Sequence, residues 1–158
     1  MVPEGYYGKA GKRIMSLQDP LKKMSKSDEN PNAYILLTDD EKTILNKCRR
    51  AVTDSDNKIV YDVQNKPGIS NLMDIYSCIT QKSIAAVEQE CAGMLYGAFK
   101  TLVAESIIDM LSPIQQRYRQ LLNDKAYVND VLYAGGQKAA VQAVKILSRV
   151  KMCIRDSL

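Results

Sequence analysis

Apolar residues repeat every three or four positions along most of this chain, but not along its first thirty or so residues. That opening segment contains Pro3, Gly5, Gly8, Gly11, Pro20 and Pro31, which break any long helix. It predicts two short strands, Arg13 to Leu17 and Ala33 to Leu36. Between them, residues Leu21 to Asn30 are polar and rich in lysine, and they predict an exposed loop.

From residue 38 onward the spacing predicts helices. Thr38-Asp39-Asp40-Glu41 reads as a capping box, with the threonine hydroxyl bonding the Glu41 amide. Ile44, Leu45, Cys48, Ala51 and Val52 then form an inner face, and Lys47, Arg49 and Arg50 suit the negative end of the helix dipole. Residues 53 to 67 are polar and predict a connecting loop, with a brief extended stretch at Ile59-Val60-Tyr61. A helix over about 70–80 uses Leu72, Met73, Tyr76 and Ile79, and a shorter one follows Ser83 and stops near Gly93. The longest stripe runs from Phe99 through Val103, Ile107 and Leu111 to Leu122. Pro113 predicts a kink or a break in it, because proline lacks the amide and clashes with the previous turn. Two more helices are predicted over about 125–134 and 137–150, separated by Gly135-Gly136. These stripes predict a mainly α domain with its tyrosines and leucines packed inside. Residues 152–158 continue no apolar stripe and read as a cloning or translation scar.

Composition narrows the chemistry. No run approaches the roughly 18 to 20 apolar residues of a membrane span, and the first residues lack the charged and apolar regions of a secretory signal. A cytoplasmic location follows as the default. Cys48, Cys78, Cys91 and Cys153 form no C-x-x-C pair, so reduced, buried thiols are expected in place of a zinc or redox site. The count of histidines is 0, which removes Ser-His-Asp and Cys-His catalysis. A net charge of +4 permits contact with a polyanion without demonstrating one.

The segment that carries chemistry is Lys23-Met24-Ser25-Lys26-Ser27, within the polar loop. Two lysines three residues apart can bracket one polyanion, since each ammonium is a compact point charge with three donors. Ser25, Ser27 and the loop amides add neutral donors. Where a reaction expels pyrophosphate, cations aimed at the leaving group act most strongly in the transition state.

Those five residues match the signature loop of the class I aminoacyl-tRNA synthetases. The flanks, from Arg13-Ile14-Met15-Ser16-Leu17-Gln18-Asp19-Pro20 to Asp28-Glu29-Asn30-Pro31, resemble the bacterial-type tryptophan-specific branch. So do Arg50-Ala51-Val52-Thr53-Asp54, Asn65-Lys66-Pro67-Gly68-Ile69-Ser70-Asn71-Leu72 and Pro113-Ile114-Gln115-Gln116-Arg117-Tyr118. The resemblance covers roughly residues 10 to 150. It implies a short α/β remnant of a Rossmann-type catalytic domain over residues 1–37, followed by an α-helical bundle that receives the tRNA anticodon over residues 38–151. It also implies that ATP activates tryptophan to tryptophanyl-adenylate before transfer to its tRNA. Lys23 and Lys26 would then be catalytic, and ATP would be bound by Ile14, Lys23, Met24, Ser25, Lys26 and Ser27. Mg²⁺ would accompany ATP without a dedicated protein site, and the intact enzyme would be a homodimer.

The family also carries a histidine- and glycine-containing signature on its Rossmann sheet, and this chain has neither that unit nor any histidine. The expectation is therefore a carboxy-terminal part of the enzyme that is inactive by itself. The competing reading is a free-standing helical RNA-binding or interaction module that keeps the loop as a remnant. A tyrosine-specific enzyme would share the loop, but the flanks disfavour it.

Overall fold

The structure, a computed structural model, describes residues 3–5 and 11–153. Five helices follow in order: α1 Glu41–Arg49, α2 Pro67–Thr80, α3 Ile84–Glu90, α4 Tyr96–Asn123 and α5 Lys125–Cys153. The mainly α reading holds. The two strands do not form: among the described residues the only ladder contact is one antiparallel bridge, Met15 to Lys23. The bonds of residues 14–17 run instead to Lys22 and Met24, to the Asn71 side chain, and singly to the Ala33 carbonyl and the Val52 amide, too scattered to extend the bridge into a ladder.

The chain divides into two compact units, Met1–Gln115 and Gln116–Leu158, the boundary falling inside α4. In the first unit, one core joins Leu17 to Ile44 and Cys48 of α1, Ile69, Leu72, Met73 and Tyr76 of α2, Val87 of α3, and Phe99, Val103, Ile107 and Leu111 of α4. Tyr76 meets Phe99 edge to face, with centroids 6.1 Å apart. The anticipated inner faces of α1 and α2 are correct at Ile44, Cys48, Ala51, Leu72, Met73 and Tyr76. Val52 is not an inner residue: α1 ends at Arg49, and the chain has already turned outward.

Caps decide several boundaries. The cap of α1 is Asp40, not Thr38, and its Oδ1 accepts from the Thr43 amide at 2.7 Å. Asp39 is thereby freed to face Lys47. The second helix begins three residues earlier than the spacing indicated, because Pro67 occupies the first turn where its missing N–H costs nothing. A short helix follows Ser83 as anticipated, and Ser83 caps it by accepting from the Ala86 amide.

Pro113 does not break α4, which runs through it. The amide bond it forgoes lies on an exposed stretch, where water can satisfy the orphaned carbonyl of Asp109. Nor do Gly135 and Gly136 divide the last helix. Neither has a positive φ, and a glycine costs a helix interior only about 1 kcal/mol. Asp124 caps the single α5 by accepting from the Tyr127 amide at 3.0 Å.

The tyrosines and leucines beyond Leu111 are not packed inside. Met110, Ile114, Tyr118 and Leu122 of α4 are exposed, and α5 contributes no buried residue. Within the second unit two helical segments offer each apolar stripe at most one neighbour, too few to enclose it. The cysteine expectation needs the same correction: all four are free, but Cys78 is half-buried and Cys153 exposed. Met152 and Cys153 extend α5, and residues 154–158 of the anticipated foreign tail lie outside the described residues.

Candidate functional site

The lysine loop hangs from the four residues 14–17. The Met24 amide donates to the Ile14 carbonyl at 3.0 Å, and the Ser16 amide donates to the Lys22 carbonyl at 2.8 Å. Leu17 continues the attachment inward, its amide bonding the Ala33 carbonyl at 2.9 Å and its carbonyl accepting from Val52 at 2.8 Å. Both ends of the loop are thus tied to one extended segment. Gln18 adds a bond from Nε2 to the Arg50 carbonyl at 2.9 Å, just past the end of α1.

Within the loop, short polar side chains take over the work of a ladder. Ser16 Oγ accepts from the Gln18 and Asp19 amides, Ser25 Oγ from Ser27, Asp28 Oδ1 from Asn30, and Asn30 Oδ1 from Asn32. Such self-bonding turns hold a loop's course without a neighbouring strand. Lys22 pairs with Asp19 at 3.1 Å, and that hydrogen bond holds the Asp19 carboxyl below its ordinary range.

The sequence-predicted residues separate into two environments. Lys23, Ser25, Lys26 and Ser27 are exposed, and neither Lys23 nor Lys26 takes part in an ion pair among the described residues. Ile14 and Met24 are half-buried and come together by backbone and side chain alike. Their side chains line a cavity of about 290 Å³ with Ile35, Leu37, Ile75 and Ile79. The cavity is almost wholly apolar, whereas the loop beside it presents ammonium groups and hydroxyls. A ligand with a flat apolar part and a polyanionic part matches that division. Among the described residues no group of three or more acidic, cysteine or histidine side chains could hold a metal ion.

Several organising residues were not legible from spacing. Asn71, on α2 and 4% exposed, bonds the Met15 backbone with both atoms of its amide. Lys47 forms a buried pair with Asp39 at 2.6 Å. The loop between α1 and α2 closes on Tyr96, whose hydroxyl lies 2.8 Å from Asp54 Oδ1 and 3.0 Å from the Lys58 carbonyl. Lys66 joins this group at 2.9 Å from Asp56 and 3.3 Å from Asp54, and those carboxylates raise its pKa, the Asp56 bond most. Desolvation pushes Asp54 upward, but bonds from Tyr96, the Asp56 amide and Lys66 outweigh it and hold the carboxyl low. Asp74 behaves oppositely: burial raises it, and the Tyr61 hydroxyl at 3.3 Å only partly offsets that. The one signal available in the sequence was an asparagine, Asn71, set among the apolar residues of a helix.

Residues 2–112 match the profile of the family described as tRNA synthetases class I (W and Y). The chain is 48% identical over 150 residues to a tryptophan–tRNA ligase of Clostridium tetani, an alignment covering 95% of this chain and 44% of that protein. A crystal structure of tryptophanyl-tRNA synthetase from Mycoplasma pneumoniae superposes with a TM-score of 0.66 at 32% identity, covering 72% of this chain and 36% of that one. The chain therefore spans less than half the length of either relative.

Proposed function

Because the chain belongs to the class I tRNA synthetases of the tryptophan and tyrosine group, we propose that it is the carboxy-terminal part of a tryptophan–tRNA ligase. In the assembled enzyme the tryptophan carboxylate attacks the α-phosphorus of ATP, and the bond to the β-phosphate breaks to release pyrophosphate. Tryptophanyl-adenylate then passes its acyl group to the tRNA for tryptophan. The observation that carries this reading is the exposed pair Lys23 and Lys26, on a loop fastened beside an apolar cavity, in a chain so similar to a tryptophan ligase.

Lys23 and Lys26 contact the triphosphate, and Lys26 neutralises the charge that gathers on the departing pyrophosphate. Ser25 and Ser27 supply hydroxyl and amide donors, Met24 lies near the adenine, and Ile14 offers its backbone to the same ring. Mg²⁺ accompanying ATP would supply further charge neutralisation at the phosphates, without a dedicated protein site. Residues 1–37 serve the catalytic half and residues 38–151 the tRNA, with Arg117, Arg119, Lys125 and Lys138 available to its phosphates. The working enzyme is a cytoplasmic homodimer.

The 158-residue chain by itself makes no adenylate, since the family's histidine-bearing signature is not in it. Mixing it with a separately expressed amino-terminal half restores ATP–pyrophosphate exchange. In that mixture Lys26→Ala lowers kcat by roughly a hundredfold with little change in the KM for tryptophan, the signature of a contact made in the transition state. Exchange by the chain alone, or an unchanged rate in the Lys26→Ala mixture, would contradict this reading.

A further inference from the structure

We infer that Asn71 is a positioning residue for the lysine loop: it holds the Met15 backbone and thereby sets where Lys23 and Met24 stand. The consequence for catalysis rests on the function proposed above, whereas the consequence for the loop does not.

The extended segment 14–17 presents two edges. One carries the loop, through Ile14 to Met24 and Ser16 to Lys22. The opposite edge at Met15 is held by one side chain. Asn71 Oδ1 accepts from the Met15 amide at 2.8 Å, and Asn71 Nδ2 donates to the Met15 carbonyl at 2.9 Å. An amide side chain has one donating and one accepting end, as a peptide group does, so it stands in for one residue of a neighbouring strand. The two bonds together also settle which end of the amide faces which atom.

The clamp stands on a tightly packed helix. Ile69, Leu72 and Met73 are buried on its inner face, and Gly68 lies so close to the Val52 carbonyl that any Cβ there would collide with it. Asn71 therefore transmits the position of the helical core to a loop that has no strand to support it. A cavity of about 400 Å³, lined by Met15, Ser70, Asn71 and Asp74 among others, adjoins the clamp. Water entering there could partly replace a deleted amide, so a simple truncation is the weaker test.

Two substitutions separate positioning from bulk stability. Asn71→Leu keeps the volume and removes both bonds. Asn71→Asp keeps the bond from the Met15 amide but sets a second carboxylate oxygen against the Met15 carbonyl until the carboxyl is protonated. Amide hydrogen exchange of the whole chain reads the outcome, as protection factors corrected for pH. At pH 7 both variants are expected to lose roughly tenfold more protection at Met24 and Ser16 than at Phe99 and Val103 in the core of α4. Acidification restores protection in Asn71→Asp and not in Asn71→Leu: burial, the Met15 carbonyl and the Asp74 carboxyl on the adjoining cavity favour the protonated acid, against the opposing charges of Lys12 and Arg13 on the same cavity. Loss confined to Met15, equal loss throughout α4, or no restoration by acid would overturn the inference.

A second measurement reports on catalysis. In the mixture with the amino-terminal half, Asn71→Leu lowers kcat for ATP–pyrophosphate exchange about tenfold with the KM for tryptophan nearly constant. An unchanged kcat would overturn the catalytic consequence. If the unsubstituted mixture makes no adenylate, the proposed function fails, and the exchange protection still decides the role of Asn71.

Discussion

Lys47 lies on the inner face of α1 with its ammonium 2.6 Å from Asp39 Oδ2 and 5.2 Å from the centre of the Tyr34 ring. The same carboxylate oxygen accepts from the Leu36 amide at 2.9 Å. Removing one partner of a buried pair leaves the other charge without water or counter-ion, which costs more than the intact pair contributes. Asp39→Ala is therefore expected to destabilise the first unit by about 3 kcal/mol, read as a lowered midpoint in urea unfolding. Adding Lys47→Met to Asp39→Ala should recover more than half of that loss, since the orphaned charge is then gone. Independent, additive losses in the double variant would contradict the pairing. The residue scale also shows what spacing can and cannot reveal. Lys23 to Ser27 were legible because their chemistry resides in their own side chains. Asp39 was read as part of a cap and Lys47 as a partner of the helix dipole, because their meeting depends on where α1 begins. Asn71 stood out as a polar residue among apolar ones, but its partner was hidden, being a backbone group 56 positions away.

At the scale of elements, core stripes were legible wherever a second helix covers the face in question. That is why Leu72, Met73 and Phe99 came out correctly, and why Tyr118 and Leu122 did not. A 3.6-residue stripe records that a face is apolar; whether anything lies against it is a tertiary matter. Punctuation by glycine and proline was overweighted for a similar reason. A single Gly or Pro shifts a balance by one to a few kcal/mol, which a helix of 29 residues can absorb. Gly135 and Gly136 accordingly remain a local weakness in α5. A Cβ at either would meet nothing within 4 Å. Gly135→Ala and Gly136→Ala are each expected to stabilise the helix by about 0.5–1 kcal/mol. The measurement is slower amide exchange across residues 131–140, with the first unit unaffected. Faster exchange would mean that the helix needs its glycines.

At the scale of the whole molecule, buried apolar surface is distributed unevenly between the two units. Every buried residue of α4, from Tyr96 to Leu111, precedes the boundary, and α5 contributes none. Gln115 closes the first unit: its Nε2 donates to the Leu37 and Asp39 carbonyls, each at 2.9 Å. Cooperative unfolding scales with the apolar area removed from water, so nearly all of it should belong to residues 11–115. A chain ending after Gln115 is then expected to keep its thermal midpoint to within about 3 °C and to retain most of the calorimetric enthalpy. The full chain should show the complementary pattern in amide exchange. Protection in α5 stays near that of an isolated helix, while amides around Phe99 and Val103 exchange only through global opening. Removing Gln115's two bonds by Gln115→Ala in the shortened chain should lower the midpoint by several degrees, since both hydrogen bonds from Gln115 to the 36–39 turn are lost. A shortened chain that melts far below the full one would show that residues 116–158 help to stabilise the first unit's core.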